Sequence, residues 1–212
     1  MRRDFRGSIA SIAPEPEWQV QVTQSWDAVR RLGEVSSLAT DVFYDNQGFE
    51  PLVNFSKIIY KSELLIRLGW RLAKPNKASC FLIAQPAVES HDCKGLAGML
   101  ELSIQADISP LFNNSRQVAV VTTMAVLPEM QRQGIGTALL EAAQCWAASR
   151  DVRVIALFVY RDNYTAIRLY ERVGFERVVK WVDPLWLTCA EKGMIGPTRR
   201  VLYIKQLPSV IN

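Results

Sequence analysis

Between Trp18 and Trp26, Val20 and Val22 alternate with Gln19, Gln21 and Thr23, the period-two pattern of a strand with one face turned inward. Asp27 then stands where a helix N-cap belongs, and the spacing from Ala28 to Val42 is helical. A second helix is expected over Phe55 to Leu72. Ile58, Ile59, Leu65, Leu68 and Leu72 form its inner side, while Lys57 and Lys61, then Glu63, Arg67 and Arg71, recur four apart outside it. Pro75 ends it. Cys80 to Gln85 and Leu96 to Ile104 read as strands joined by the polar loop Pro86 to Gly95, and the polar segment Gln105 to Arg116 leads into a third strand, Gln117 to Leu127. At Gly134 the period changes to that of a helix running to about Ser149. A strand at Val152 to Tyr160, a helix at Asn163 to Val173 and a turn at Gly174 follow. A strand at Glu176 to Val182, a loop to Thr198 and a closing strand at Arg199 to Leu207 complete the chain.

This order predicts an α/β protein, one mixed sheet with helices on both faces. No repeat or linker divides it, so residues 18–212 are expected to form a single domain behind a flexible tail at 1–17. The tail carries Arg2, Arg3 and Arg6 but lacks the apolar stretch of a secretory signal. With 212 residues, 49% of them hydrophobic and 22% charged, the composition is that of an ordinary globular domain. No apolar run is long enough to span a membrane, so no membrane association is expected. The net charge of +4 is mild; it suits anionic ligands but falls short of a nucleic-acid binder. The four cysteines (Cys80, Cys93, Cys145, Cys189) have no paired spacing and His91 is the only histidine, so neither metal nor disulfides are expected and a cytoplasmic protein is.

The segment Met124 to Leu140 carries the chemistry. A strand ends at Pro128, a polar turn follows, and Gly134 and Gly136 open a helix. The first N–H groups of a helix have no intrahelical partner, and the helix dipole adds positive potential there, so the arrangement is an anion cradle. Glycines let a diphosphate approach the backbone with no Cβ in the way, and Arg132 adds a charge-assisted bond. The Gly-Lys-Ser/Thr of a Walker loop is absent, and a dinucleotide fingerprint would need glycine where Leu139 stands.

The pattern Val126-x-Pro128-x-x-Gln131-Arg132-Gln133-Gly134-Ile135-Gly136-Thr137-Ala138-Leu139-Leu140 resembles the acetyl-CoA signature of the GNAT acetyltransferases, Q/R-x-x-G-x-G/A. Asp162-Asn163-x-x-Ala166-Ile167-x-Leu169-Tyr170-Glu171-x-x-Gly174-Phe175 resembles the family's following helix. The resemblance is strongest over Gln117 to Val179, and Leu202-Tyr203-Ile204-x-x-Leu207 fits the family's last strand. It implies a single GNAT domain with a mixed, mostly antiparallel sheet, acetyl-CoA as co-substrate, and direct attack of an amine on the thioester in a ternary complex. The backbone of Met124, Ala125 and Val126 would hold the pantetheine arm, with an N–H near Met124 polarising the thioester carbonyl. The amides of Gln131, Arg132, Gln133, Gly134, Ile135, Gly136 and Thr137 would hold the pyrophosphate, and Asn163 would touch the cofactor arm. Tyr170 would protonate the departing thiolate. The first hundred residues are similar, more loosely, to plastid and cyanobacterial GNATs, a group associated with acetylating protein N-termini and lysines. That similarity implies a plastid stroma if the source is a plant.

The general base is less sharply marked. Glu101, in the middle of its strand, is the candidate, acting directly or through water; the alternative is a solvent-facing strand carboxylate. His91, Tyr160 and Tyr203 read as surface and sheet residues, the basic helix as a solvated face or a dock for an acidic partner, and Trp70, Trp146, Trp181 and Trp186 as packing. Three functions are carried forward: a protein acetyltransferase for α-amines or lysines, a small-molecule amine acetyltransferase, and an acetyl-CoA sensor without turnover. A sensor would have no use for Asn163 and Tyr170. The chain is expected to work as a monomer or homodimer, without nucleic acid.

Overall fold

The computed structural model describes residues 18–23, 31–43, 79–86, 96–106, 117–183 and 199–208. Among the described residues there are seven strands: β1 (Trp18–Thr23), β2 (Ser79–Pro86), β3 (Gly98–Ala106), β4 (Gln117–Val126), β5 (Val154–Tyr160), β6 (Glu176–Arg177) and β7 (Arg200–Gln206). They form one sheet in the order β1-β2-β3-β4-β5-β7-β6, antiparallel throughout except for the parallel pair β4–β5. Among the described residues three α-helices pack on it, α1 (Leu32–Phe43), α2 (Ile135–Ala148) and α3 (Tyr164–Arg172). The sheet is mixed and mostly antiparallel, with helices on both faces, as the sequence predicts.

Side-chain alternation assigns the faces. Leu82, Leu100, Leu102, Ala119, Ile155 and Leu157 turn to one side and meet Ile135, Leu139, Leu140 and Trp146 of α2. Phe81, Ile83 and Met99 turn to the other and meet Val35, Leu38 and Ala39 of α1. Val118, Val120, Val154, Ala156 and Leu202 share that second side, with Val178 and Trp181 packed on them. Among the described residues no helix is long and apolar enough to cross a membrane.

Three local expectations change. Val22 was expected to share the inward face of Val20, but β1 is an edge strand and Val22 is 51% exposed while Thr23 is buried. The strand expected from Leu96 begins at Gly98, because the Ala97 N–H donates to the Ala84 carbonyl out of step with the β2–β3 register, and it runs on to Ala106. The strand expected over Glu176 to Val182 is two residues long: after Val178 donates to Leu202, the chain turns and Trp181 N–H donates to the Val178 carbonyl. Asp27, the helix expected at 55–72, His91, Cys93, Cys189, Trp70, Trp186, the tail 1–17 and most of the connecting loops lie outside the described residues.

Candidate active site

The site begins where β4 and β5 part. Their parallel register covers only Ala119–Val121 against Ile155–Leu157, although β4 continues to Val126 and β5 to Tyr160. The cause lies on the far side of β4. Glu101 of β3 is opposite Thr123 and Leu102 is opposite Val121, leaving Thr122 as an extra residue, a β-bulge. A bulge bends its strand and increases its twist, which turns the end of β4 away from β5. It also puts two successive side chains on one face: the hydroxyls of Thr122 and Thr123 both donate to Oε2 of Glu101, at 2.6 and 3.1 Å. Glu101 is 1% exposed, so the solvent-facing alternative is excluded.

Beyond the bulge, Leu127 N–H donates to the Ala97 carbonyl. Hydrogen bonding alternates along an antiparallel strand, so Ala125 faces β3 and the backbone groups of Met124 and Val126 face the gap. The Val126 carbonyl accordingly accepts from the Gln131 side-chain amide at 3.2 Å.

The loop closing this gap is a 3-10 turn (Pro128–Met130) followed by Gln131 to Gly134. Arg132 (φ 68°) and Gly134 (φ 84°) are both left-handed. Gly134 is the N-cap of α2 and supplies no side-chain acceptor, and no acidic residue stands in the first turn, so nothing of the helix itself neutralises its leading N–H groups. A Cβ added at Gly134 would meet nothing within 4 Å, which leaves room for an anion at the backbone. Gly136 has a different reason. A Cβ there would come within 2.8 Å of Leu169 Cδ2 and 3.2 Å of Met124 Cε, so this glycine lets α3 and β4 approach α2.

These elements enclose a cavity of about 410 Å³. Of the residues expected to bind the co-substrate, Met124, Ala125, Val126, Gln131, Arg132, Gly134, Ile135, Gly136, Thr137, Asn163 and Tyr170 line it and Gln133 does not; Glu101, the candidate base, lies outside its lining. Sequence reasoning missed Val42, which brings α1 to the cavity from the other side of the sheet, and Thr165, Ala166, Leu169 and Arg172 of α3. The latter recur at helical spacing and include a second cation beside Arg132, a pattern that would have revealed the cavity-facing side of α3.

Asn163 caps α3, its Oδ1 accepting from Ala166 N–H at 3.1 Å, which leaves its NH2 group as a donor at the cavity wall. Tyr170 is 8% exposed and meets Phe175 edge-on. Burial pushes its hydroxyl up to about 12, so the ring is a neutral phenol at physiological pH. Tyr203, on β7, donates to Glu171 at 2.9 Å and is a sheet residue, as expected. The donors gathered here, backbone N–H groups at a glycine-opened helix and two arginines, fit a diphosphate-bearing co-substrate.

A sheet parted between two parallel strands, with an anion cradle beside the opening, defines an α/β domain suited to an extended, phosphate-bearing ligand. Residues 50–175 match the acetyltransferase (GNAT) family, and the chain belongs to it. It is an acyltransferase with acetyl-CoA as co-substrate. It is 27% identical over 211 residues to GCN5-related N-acetyltransferase 10, chloroplastic, of Arabidopsis thaliana, a match covering 92% of this chain and 78% of that protein. It is also 44% identical over 57 residues to the [ribosomal protein bS18]-alanine N-acetyltransferase of Escherichia coli, covering 27% of this chain and 38% of that one. Among solved structures, Arabidopsis thaliana NAA60 in complex with acetyl-CoA superposes with a TM-score of 0.54 at 15% identity, over 89% of this chain and 98% of that chain.

Proposed function

We propose that the chain transfers the acetyl group of acetyl-CoA to a primary amine by direct attack within a ternary complex, with protein α-amino termini and lysine side chains as the acceptor class. The observation carrying this reading is that Tyr170 and the anion cradle of α2 belong to one cavity. The amine nitrogen bonds to the thioester carbonyl carbon, the C–S bond breaks, and Tyr170 gives its hydroxyl proton to the leaving sulfur. An outward N–H near Met124 stabilises the carbonyl oxygen as charge develops on it. Glu101, acting through water, takes the proton that the amine sheds.

A phenol near 12 protonating a thiolate whose conjugate acid lies near 8.5 in water would be uphill by about 5 kcal/mol. The burial that raises the phenol raises a thiol as well. Cys80 illustrates the effect in this protein, its thiol pushed up to about 12 mainly by desolvation. A thiolate held against the buried Tyr170 is raised by the same desolvation, which narrows that gap.

The acceptor class is supported by the Escherichia coli relative, which acetylates the alanine of a ribosomal protein. The name chloroplastic, carried by the Arabidopsis relative, supports the plastid stroma for a plant source, with the cytoplasm otherwise.

The test is release of free CoA thiol with three acceptor sets: peptides with free N-termini, N-blocked lysine peptides, and small amines, each product checked by mass. Turnover on peptides is expected. Turnover confined to small amines overturns the acceptor class in favour of metabolite acetylation, and binding of acetyl-CoA without turnover on any set favours a sensor. Glu101→Gln is expected to lower kcat with little change in the KM for acetyl-CoA; an unchanged kcat would remove Glu101 from the mechanism.

A further inference from the structure

We infer that Trp18 is a positioning residue for the phosphate-binding loop, acting through the Gln133–Gly134 peptide without touching the co-substrate. The inference rests on the acetyl-CoA reading above and adds to it a residue 115 positions away in the chain from the carbonyl it holds.

Trp18 opens β1, where it is paired opposite Pro86 of β2, and its ring packs on the core beneath α2. Its indole Nε1–H donates to the Gln133 carbonyl at 2.8 Å. A trans peptide is planar, with its C=O and N–H pointing in opposite directions. Holding the Gln133 carbonyl toward Trp18 therefore aims the Gly134 N–H the other way. Gly134 lines the cavity, whereas Trp18 and Gln133 do not, so the other way is toward the anion.

The peptide needs such a restraint. It is followed by a glycine at φ 84° and preceded at one remove by Arg132 at φ 68°, a left-handed conformation costing a non-glycine residue about 1–2 kcal/mol. Glycine imposes little barrier of its own to rotation of the peptide before it. A rotated peptide would turn a carbonyl lone pair on the phosphates and withdraw a donor. Other ties bracket this peptide, with Gln131 on Val126 and the Gln133 side chain on Glu129, but the Trp18 bond is the one recorded to its carbonyl among the described residues.

The test compares CoA with pantetheine, which lacks the phosphates, by NMR titration of the wild type and Trp18→Phe, a variant that keeps an aromatic ring and loses the donor. Trp18→Phe is expected to weaken CoA binding about tenfold, the order of one hydrogen bond, while pantetheine binding stays within twofold. CoA binding within twofold of wild type, or the same loss for both ligands, overturns the inference; the latter would mean a general packing defect. A wild type that binds CoA no better than pantetheine would instead refute the phosphate cradle itself. Should Trp18→Phe fail to fold, hydrogen exchange on the wild type decides. Slower exchange of the Trp18 indole N–H and the Gly134 amide with CoA bound supports the link, and an unchanged indole rate overturns it.

Discussion

Tyr170 and Cys80 are both pushed up to about 12 by burial, yet one lines a cavity and the other is sealed in the sheet. For Tyr170 the folded value lies above the unfolded value of about 10, so its contribution to stability is complete below about pH 10 and is lost as pH rises toward 12. Its ionisation should leave no basic limb in the kcat profile below about pH 10. Tyr170→Phe should lower kcat by about 10²-fold or more and move the KM for acetyl-CoA only a few-fold, as measured by steady-state thiol release. Full turnover in that variant across pH would remove Tyr170 as the acid. Cys80 should resist iodoacetamide in the native protein near pH 8, roughly where an ordinary thiol ionises, while exposed Cys145 reacts. Mass mapping before and after denaturation reads both. Tyr170 was legible in the sequence through its motif. The burial of Glu101 was not, because its strand offers the same alternation whether its outer face meets water or α1.

At the scale of elements, two glycines two residues apart do different work. Gly134→Ala should cost about 1–2 kcal/mol through strain at φ 84° and should weaken CoA binding as well. Gly136→Ala should cost about 1–3 kcal/mol by forcing Leu169 and Met124 aside, and the loss should appear in urea denaturation with or without CoA. The motif predicted that both glycines serve the anion; Gly136 lines the cavity and also lets Leu169 of α3 and Met124 of β4 approach α2. The late strand shows a similar limit. Val178, Val179 and Val182 have strand propensity, but of that segment β7 pairs only with Glu176 and Arg177, and Trp181 folds back near Phe158 with ring centroids 5.2 Å apart. Propensity gave way to tertiary context, as it often does in strands.

Across the whole molecule, the segment between Asp183 and Arg200 is tied at its ends. Arg200 donates from Nε and Nη2 to the two carboxylate oxygens of Asp183, each at 2.9 Å, and its backbone N–H adds a third bond at 3.1 Å. Asp183 is buried and Arg200 partly exposed, so Arg200→Ala removes two charge-assisted hydrogen bonds from a buried carboxylate and should cost about 1.5–3 kcal/mol in urea denaturation. A loss below about 0.5 kcal/mol would mean that the pair does not hold the segment's ends.

The α/β class and the sheet with helices on both faces were readable from the chain because they depend on local periodicity, and the glycine-opened helix at Gly134 because its residues are adjacent in sequence; Tyr170 as candidate acid came from the family resemblance alone. The parting of β4 from β5, the bulge at Thr122 that causes it, and the reach of Trp18 to Gln133 were decided only by the tertiary structure. They depend on strand register and on contacts between distant residues, and no local pattern of hydrophobic and polar positions encodes either.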